Sequence, residues 1–231
     1  VILVEKTRLV ELSLFYAVQK ALAIRKTNET PSSSDYKNYS LKYQNISLFF
    51  SPVVEVNSIP VSVGYAINYL QGIVIFDNTL SSSDIVKVTY EYNKVNIYDE
   101  GKNPLDDDFR YPALAIYEVE MRDEGFELGN SIKEKNGIWS FEVLAEKGGE
   151  RHDISDKIYR AISEEGNIPI VDYNIAFPIN ADGTKNMQFN EEIQTIGYIT
   201  CDSINKRNAG SLGIGDKPKY ISEIMAELSY I

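Results

Sequence analysis

The chain has 231 residues, of which 43 % are apolar and 25 % charged, and a formal net charge of −11 at pH 7. These totals suffice for one good core or two small ones and describe a folded, soluble protein. The acidic balance excludes general nucleic-acid binding and adsorption to anionic membranes, both of which need clustered Lys and Arg. The single cysteine, Cys201, cannot form an internal disulfide. No apolar run approaches the roughly 18 to 20 residues that cross a bilayer. Val1-Ile2-Leu3-Val4 is followed at once by Glu5, Lys6 and Arg8, with no cleavage site, and does not read as a signal peptide. Three sequon matches, at Asn28, Asn38 and Asn45, read as chance.

In chain order, residues 3–26 read as a helix. Val10, Leu14, Val18, Ala21 and Leu22 recur at mostly three- and four-residue steps, and Lys20, Arg25 and Lys26 suit its C-terminal end. A Ser-rich loop over 27–38 follows as a linker. Over 41–98 the period falls to two. Val54-Glu55-Val56 and Val61-Ser62-Val63 flank a turn, and so do Ile67–Leu70 and Ile73–Phe76 around Gln71-Gly72. Val86, Val88, Tyr90 and Tyr92 then alternate with polar residues. The phase slips at Val95 and Ile97, which predicts a bulge near Asn93-Lys94.

A polar connector over 99–111 carries Asp106-Asp107-Asp108. Residues 112–119 read as a strand, with 113–117 buried on both faces and central. Residues 138–145, containing Trp139, Phe141 and Val143, form a half-buried strand. A helix over 150–165 shows an Ile154, Ile158, Ala161, Ile162 stripe and is closed by Gly166. A short strand at 168–172 completes this strand–strand–helix–strand unit. A long strand is expected over 191–204 with Ile196, Tyr198 and Thr200 on one face. Residues 208–217 read as a flexible loop, and 220–231 fit strand or helix equally well. The expected architecture is α+β: an N-terminal helix and linker (1–40), an inserted all-β hairpin module (41–98), and a mixed or antiparallel sheet with one covering amphipathic helix (99–231).

No catalytic, cofactor-binding or metal-binding residue is assigned. His152, the only histidine, lies between Arg151 and Asp153 on a predicted surface helix with no nucleophile motif nearby, so a hydrolytic site there has no named base–nucleophile pair. One His and one Cys give no zinc spacing. Asp106-Asp107-Asp108 point in different directions, where a hard cation wants converging oxygens. Glu191-Glu192 and Glu164-Glu165 are too close in sequence to flank a substrate as an acid–base pair. Gly210-Ser211-Leu212-Gly213-Ile214-Gly215 is followed by Asp216 and lacks the Gly-Lys-Ser/Thr of a phosphate loop. Half of the 16 tyrosines fall between Tyr36 and Tyr98. They pack in strands or offer rings to a sugar or a partner protein, Tyr69 and Tyr90 among them.

Several stretches together resemble the tail terminator and head–tail joining (neck) proteins of long-tailed bacteriophages. They are Tyr111-Pro112-Ala113-Leu114-Ala115-Ile116-Tyr117-Glu118, Gly125-Phe126-Glu127-Leu128-Gly129, Ile138-Trp139-Ser140-Phe141, Arg151-His152-Asp153-Ile154-Ser155-Asp156-Lys157-Ile158 and Ile168-Pro169-Ile170-Val171-Asp172-Tyr173-Asn174. Residues 56–90 are similar to a small β module common in phage structural proteins. The likeness spans the first helix and 105–231; the module between them departs from compact terminators. It implies a non-enzymatic virion protein, assembled in the host cytoplasm, that forms a homohexameric ring in the neck. Such a ring ends tail-tube growth and joins the tail to the head connector. The implied partners are the tail tube protein, the head completion or connector protein and, in contractile tails, the sheath. DNA passes the lumen without specific binding, and no membrane or cofactor is involved. Six copies at −11 each would carry about −66 charges, which would repel DNA instead of holding it. The alternative is a tail accessory, baseplate or carbohydrate-binding module using the Tyr-rich strands.

Overall fold

A computed structural model describes residues 6–98, 110–125, 133–164, 167–214 and 217–230. Asp106-Asp107-Asp108, Phe126 to Gly129, Gly166, Gly215 and Asp216 lie outside the described residues. The fold is α+β, as the sequence predicts, with an N-terminal helix, several sheets and a covering helix. The chain divides into two compact units: unit 1 comprises 1–22, 95–174 and 191–231, and unit 2 comprises 23–94 and 175–190.

Unit 2 holds two small sheets. One contains β1 (Ile24–Glu29), β7 (Val86–Tyr92), β3 (Val53–Val56) and β4 (Ile59–Val61), in that order; the other contains β2 (Asn38–Ser40), β6 (Ile73–Phe76) and β5 (Tyr65–Asn68). The period-two pattern of β7 turns Val86, Val88, Tyr90 and Tyr92 inward. There they meet Tyr39, Leu41, Ile46, Val54, Ile67, Tyr69, Val74 and Phe76 in one apolar cluster. Residues 175–190 add Ile179 to that cluster. They are tied by Tyr69 N–H to the Gly183 carbonyl at 2.8 Å and Asn68 Nδ2 to the Asp182 carbonyl at 2.9 Å.

Unit 1 holds helix α1 (Lys6–Leu22), helix α2 (Gly148–Ser163), the short helix α3 (Glu191–Gln194) and a six-stranded sheet. The sheet order is β11 (Ile168–Val171), β12 (Thr195–Ile214), β13 (Lys217–Tyr230), β10 (Lys133–Ala145), β9 (Ala113–Gly125), β8 (Asn96–Tyr98). All neighbours are antiparallel except β8 and β9. Ile154, Ile158, Ala161 and Ile162 form the buried stripe of α2, which packs on β13, β10 and β12. Leu9, Val10, Leu14, Val18 and Leu22 bury α1 against β11 and α2.

Five local expectations are corrected. The first helix stops at Leu22, and Arg25 and Lys26 belong to β1, whose backbone pairs with β7. Thr27, Asn28 and Glu29 are likewise strand, not linker. The slip at Val95 is not a bulge: β7 ends in unit 2 at Tyr92, and Asn96 begins β8 in the sheet of unit 1. The 208–214 stretch is not a flexible loop, because β12 pairs with β13 from Ile199 through Ile214. The same long pairing makes 220–230 strand. The 113–117 strand is not central either; β9 lies one place from the edge, and β13 and β10 form the middle.

Candidate functional site

Register assigns the side chains of the unit 1 sheet to two faces. Trp139, Phe141 and Val143 on β10 stand level with Ala226, Ile224 and Ser222 on β13, and all six are buried. Two polar ties hold this face to α2. Lys206 of β12 pairs with Asp156, and this bond holds the Asp156 carboxyl below the usual carboxylate range. Arg151, itself buried, donates from Nη1 to the Ile221 carbonyl at 3.4 Å and lies over the Tyr220 ring at 5.9 Å.

Residues of opposite parity make the second face polar. The Tyr117 hydroxyl donates to Glu142 Oε1 at 2.5 Å, the Ser140 hydroxyl to Glu223 Oε1 at 3.5 Å, and Arg207 pairs with Glu223. Ser203 donates to Glu227 at 3.2 Å and Ser229 to Asp202 at 3.3 Å. Ala113 and Leu144 give this face one small apolar cluster, packed with Tyr98, Tyr111 and Ile221. Ile196 and Tyr198 are 53 % and 54 % exposed, and Thr200 is exposed with them. This three-residue face of β12 therefore meets solvent.

One cavity lies between α1, β11 and α3. It measures about 160 Å³ and is lined by Ser13, Tyr16, Lys20, Asn167, Pro169 and Glu191. Its wall includes Ser13, whose hydroxyl accepts from Val171 N–H at 3.0 Å. Burial first, and Glu191 second, raise the Tyr16 phenol well above its ordinary range.

The sequence candidates do not converge. His152 is exposed in the first part of α2, with Asp156 one turn on. Glu191 and Glu192 begin α3; Glu191 is half-buried at the cavity, and Glu192 is exposed. Glu164 follows α2 and bonds back through its N–H to Arg160. The glycine-rich 210–214 stretch is paired strand, not a turn before a helix, so it offers no phosphate cradle. Cys201 is half-buried, its thiol pushed up by burial and by Asp202. Among the described residues no group of three or more His, Cys, Asp and Glu side chains could hold a metal ion. None of the described helices is long and apolar enough to cross a membrane.

The tyrosines of unit 2 are chiefly core. Tyr69 is 7 % exposed and Tyr90 fully buried, its hydroxyl donating to Glu29 Oε2 at 2.7 Å. Tyr43 stacks on Tyr92 with ring centroids 3.9 Å apart. Neither Tyr69 nor Tyr90 can therefore offer a ring face to a sugar. Sequence reasoning missed buried Arg151 and the α1 cavity. The one available signal for Arg151 was its place three residues before Ile154, on the edge of the helix stripe. No known protein-family model matches the chain, and no curated protein matches it.

Proposed function

We propose that this chain is a non-enzymatic structural subunit of a phage neck, a tail-terminator-like protein that forms a homohexameric ring at the head-proximal end of the tail. The observation that carries this reading is the coincidence of the resemblance with one body. Its described stretches fall on β9, β10, α2 and β11, which share unit 1. That unit has a helix-covered face and a polar second face, and among the described residues no group of three or more His, Cys, Asp and Glu side chains could hold a metal ion. In this reading the ring ends tail-tube growth, contacts tube and head connector on opposite sides, and lets DNA pass a polar, net-acidic wall. The Tyr-based glycan reading is weakened by the burial of Tyr69 and Tyr90.

Two measurements test this. Sedimentation of the purified chain, alone and with tail tubes, should give a ring-sized particle; a strict monomer in both would remove the proposal. Particles assembled without the protein should show over-long or headless tails by electron microscopy. Normal tails that fail to adsorb to the host would instead favour a tail accessory role.

A further inference from the structure

Helix α2 begins without a side-chain cap. Lys147, at the N-cap, is extended (φ −125°, ψ 132°) and makes no side-chain capping bond, where an Asn, Asp, Ser or Thr would accept a first-turn N–H. Gly148 and Gly149 follow. The first N–H groups of a helix have no partner within it, and these two have no side chain of their own to screen them. Gly149 is exposed, and no atom lies within 4 Å of the place a Cβ would take there, so the approach is open.

Against this turn lies a buried cation. Arg151 is 8 % exposed, its Nε has no hydrogen-bond partner, and its Nη1 reaches only the Ile221 carbonyl, at a long 3.4 Å. Among the described residues no carboxylate pairs with it. Glu146 and Glu150 have partners of their own, Asp156 holds Lys206, and Asp153 is exposed. Residues 148 and 151 are three apart and share a helix face, and helical side chains lean back towards the N-terminus. Tyr220 fixes the placement: its ring atoms come within 3.8 Å of the Cβ position of Gly148, and its ring centre is 5.9 Å from the Arg151 guanidinium carbon. Tyr220 also stands level with Ala145, where β10 ends two residues before the N-cap. A helix N-terminus is electropositive, so it disfavours a cation in the first turn, and burying that cation without an anion is a second penalty. One negative group held between them offsets both.

We propose that the first turn of α2 is an oxyanion site, in which a phosphate or carboxylate group accepts from the N–H groups of Gly148 and Gly149 and from the Arg151 guanidinium. Backbone N–H groups at a helix start and a planar guanidinium fork are the two donor types that suit such oxygens best. The site lies within unit 1 of a single copy, so it stands whether or not a ring forms. Its oxyanion is either free phosphate or a carboxylate of a second copy, and each copy carries 34 Asp and Glu residues.

Inorganic phosphate is the probe. Calorimetric titration of the full chain at constant ionic strength should show saturable binding of one phosphate per chain. Arg151→Met keeps a long side chain in the buried position without the guanidinium, and should weaken binding about tenfold to a hundredfold. Arg160→Met removes an exposed cation from the last turn of the same helix and should leave binding unchanged. No saturable binding, undiminished binding by Arg151→Met, or equal weakening by both variants would overturn the site. Nuclear magnetic resonance on the unaltered chain is independent of whether the Arg151 variant folds. Phosphate should shift the Gly148 and Gly149 amide signals and the Arg151 Nε–H signal most, and shifts centred elsewhere would also overturn it. Particle size separates the two sources. Phosphate that binds and disperses assembled chains identifies a second copy's carboxylate as the occupant it displaces, and phosphate that binds with size unchanged identifies the free anion.

Discussion

Unit 1 and unit 2 are both β-rich, yet their cores are built differently. Unit 1 packs aliphatic and aromatic side chains, Trp139, Phe141, Ile224 and Leu228 among them, beneath a helix stripe of Ile154, Ile158 and Ile162. Unit 2 has no helix among its described residues and fills the space between two small sheets with tyrosine as well as aliphatics: Tyr39, Tyr69, Tyr90 and Tyr92 are all buried. A phenol packs like Phe but brings a hydroxyl that needs a partner and a proton that can leave. The units should therefore answer differently to cavities, to alkali and to loss of a hydroxyl. The sole tryptophan makes this measurable, since buried Trp139 reports on unit 1 alone.

The largest separation should come from Phe141→Ala. Phe141 is fully buried on the helix-covered face, and removing its ring leaves a cavity that costs about 3–5 kcal/mol. The Trp139 emission transition should move to much lower denaturant, while tyrosine signals from unit 2 hold their midpoint. Equal shifts in both signals would show that the units unfold as one.

Alkali should reverse the order. In unit 2, burial is the first cause of the raised values of Tyr39, Tyr65, Tyr69, Tyr90 and Tyr92, with Tyr92 pushed up to about 12. A phenol whose folded value lies above its unfolded value binds its proton more tightly when folded. Its stabilisation is complete below the unfolded value near 10 and is lost as pH rises through the folded one. Unit 1 has three such described groups, Tyr16, Tyr117 and Tyr173. Tyrosinate absorbance should thus rise with the loss of unit 2 at a pH where Trp139 emission is still native. Trp139 changing first would contradict the comparison.

Legibility followed the same division. The α+β class, the α2 stripe and the alternation of Val86, Val88, Tyr90 and Tyr92 were readable because in each case burial follows the element's own period. β1 was not: Ile-Arg-Lys-Thr-Asn-Glu is mostly exposed, and pairing with β7 plus the Arg25–Glu91 ion pair hold it. Membership of 175–190 in unit 2 was equally invisible, since Ile179 joins a core assembled about a hundred residues earlier. At 208–214, glycine suggested a loop, but fourteen levels of pairing with β13 outweigh glycine's poor strand preference. For the sites, the isolation of His152 was legible from absent partners. The α1 cavity was not, because residues 13–20, 167–169 and 191 meet only in the fold.

Tyr90→Phe sharpens the contrast at one atom. The hydroxyl donates to Glu29, whose other oxygen accepts the Lys42 N–H at 2.6 Å, joining β1, β7 and the 41–50 segment. Loss of a hydrogen bond to a charged acceptor, with the ring kept, should cost unit 2 about 1.5–3 kcal/mol. The Trp139 transition should not move. No loss would mean that water replaces the hydroxyl at Glu29.

The smallest effect should be a gain, at the β3–β4 turn. Val56 pairs with Ile59, so Asn57 and Ser58 form a two-residue hairpin loop, and both have positive φ, 53° and 67°. That geometry is the type I′ turn, which favours Asn at the first position and Gly at the second. Asn57 fits and is further held, donating from Nδ2 to Asp84 at 2.8 Å and accepting from Ile85 N–H at 2.9 Å. Ser58 carries a Cβ in the left-handed region, a cost of about 1–2 kcal/mol. Ser58→Gly removes that cost but loosens the unfolded chain by about 0.4–1 kcal/mol. The balance is a gain of about 0.5–1 kcal/mol, read as a higher midpoint for unit 2 with Trp139 unaffected. A lower midpoint would mean that the Ser58 side chain stabilises the turn by more than its backbone strain costs.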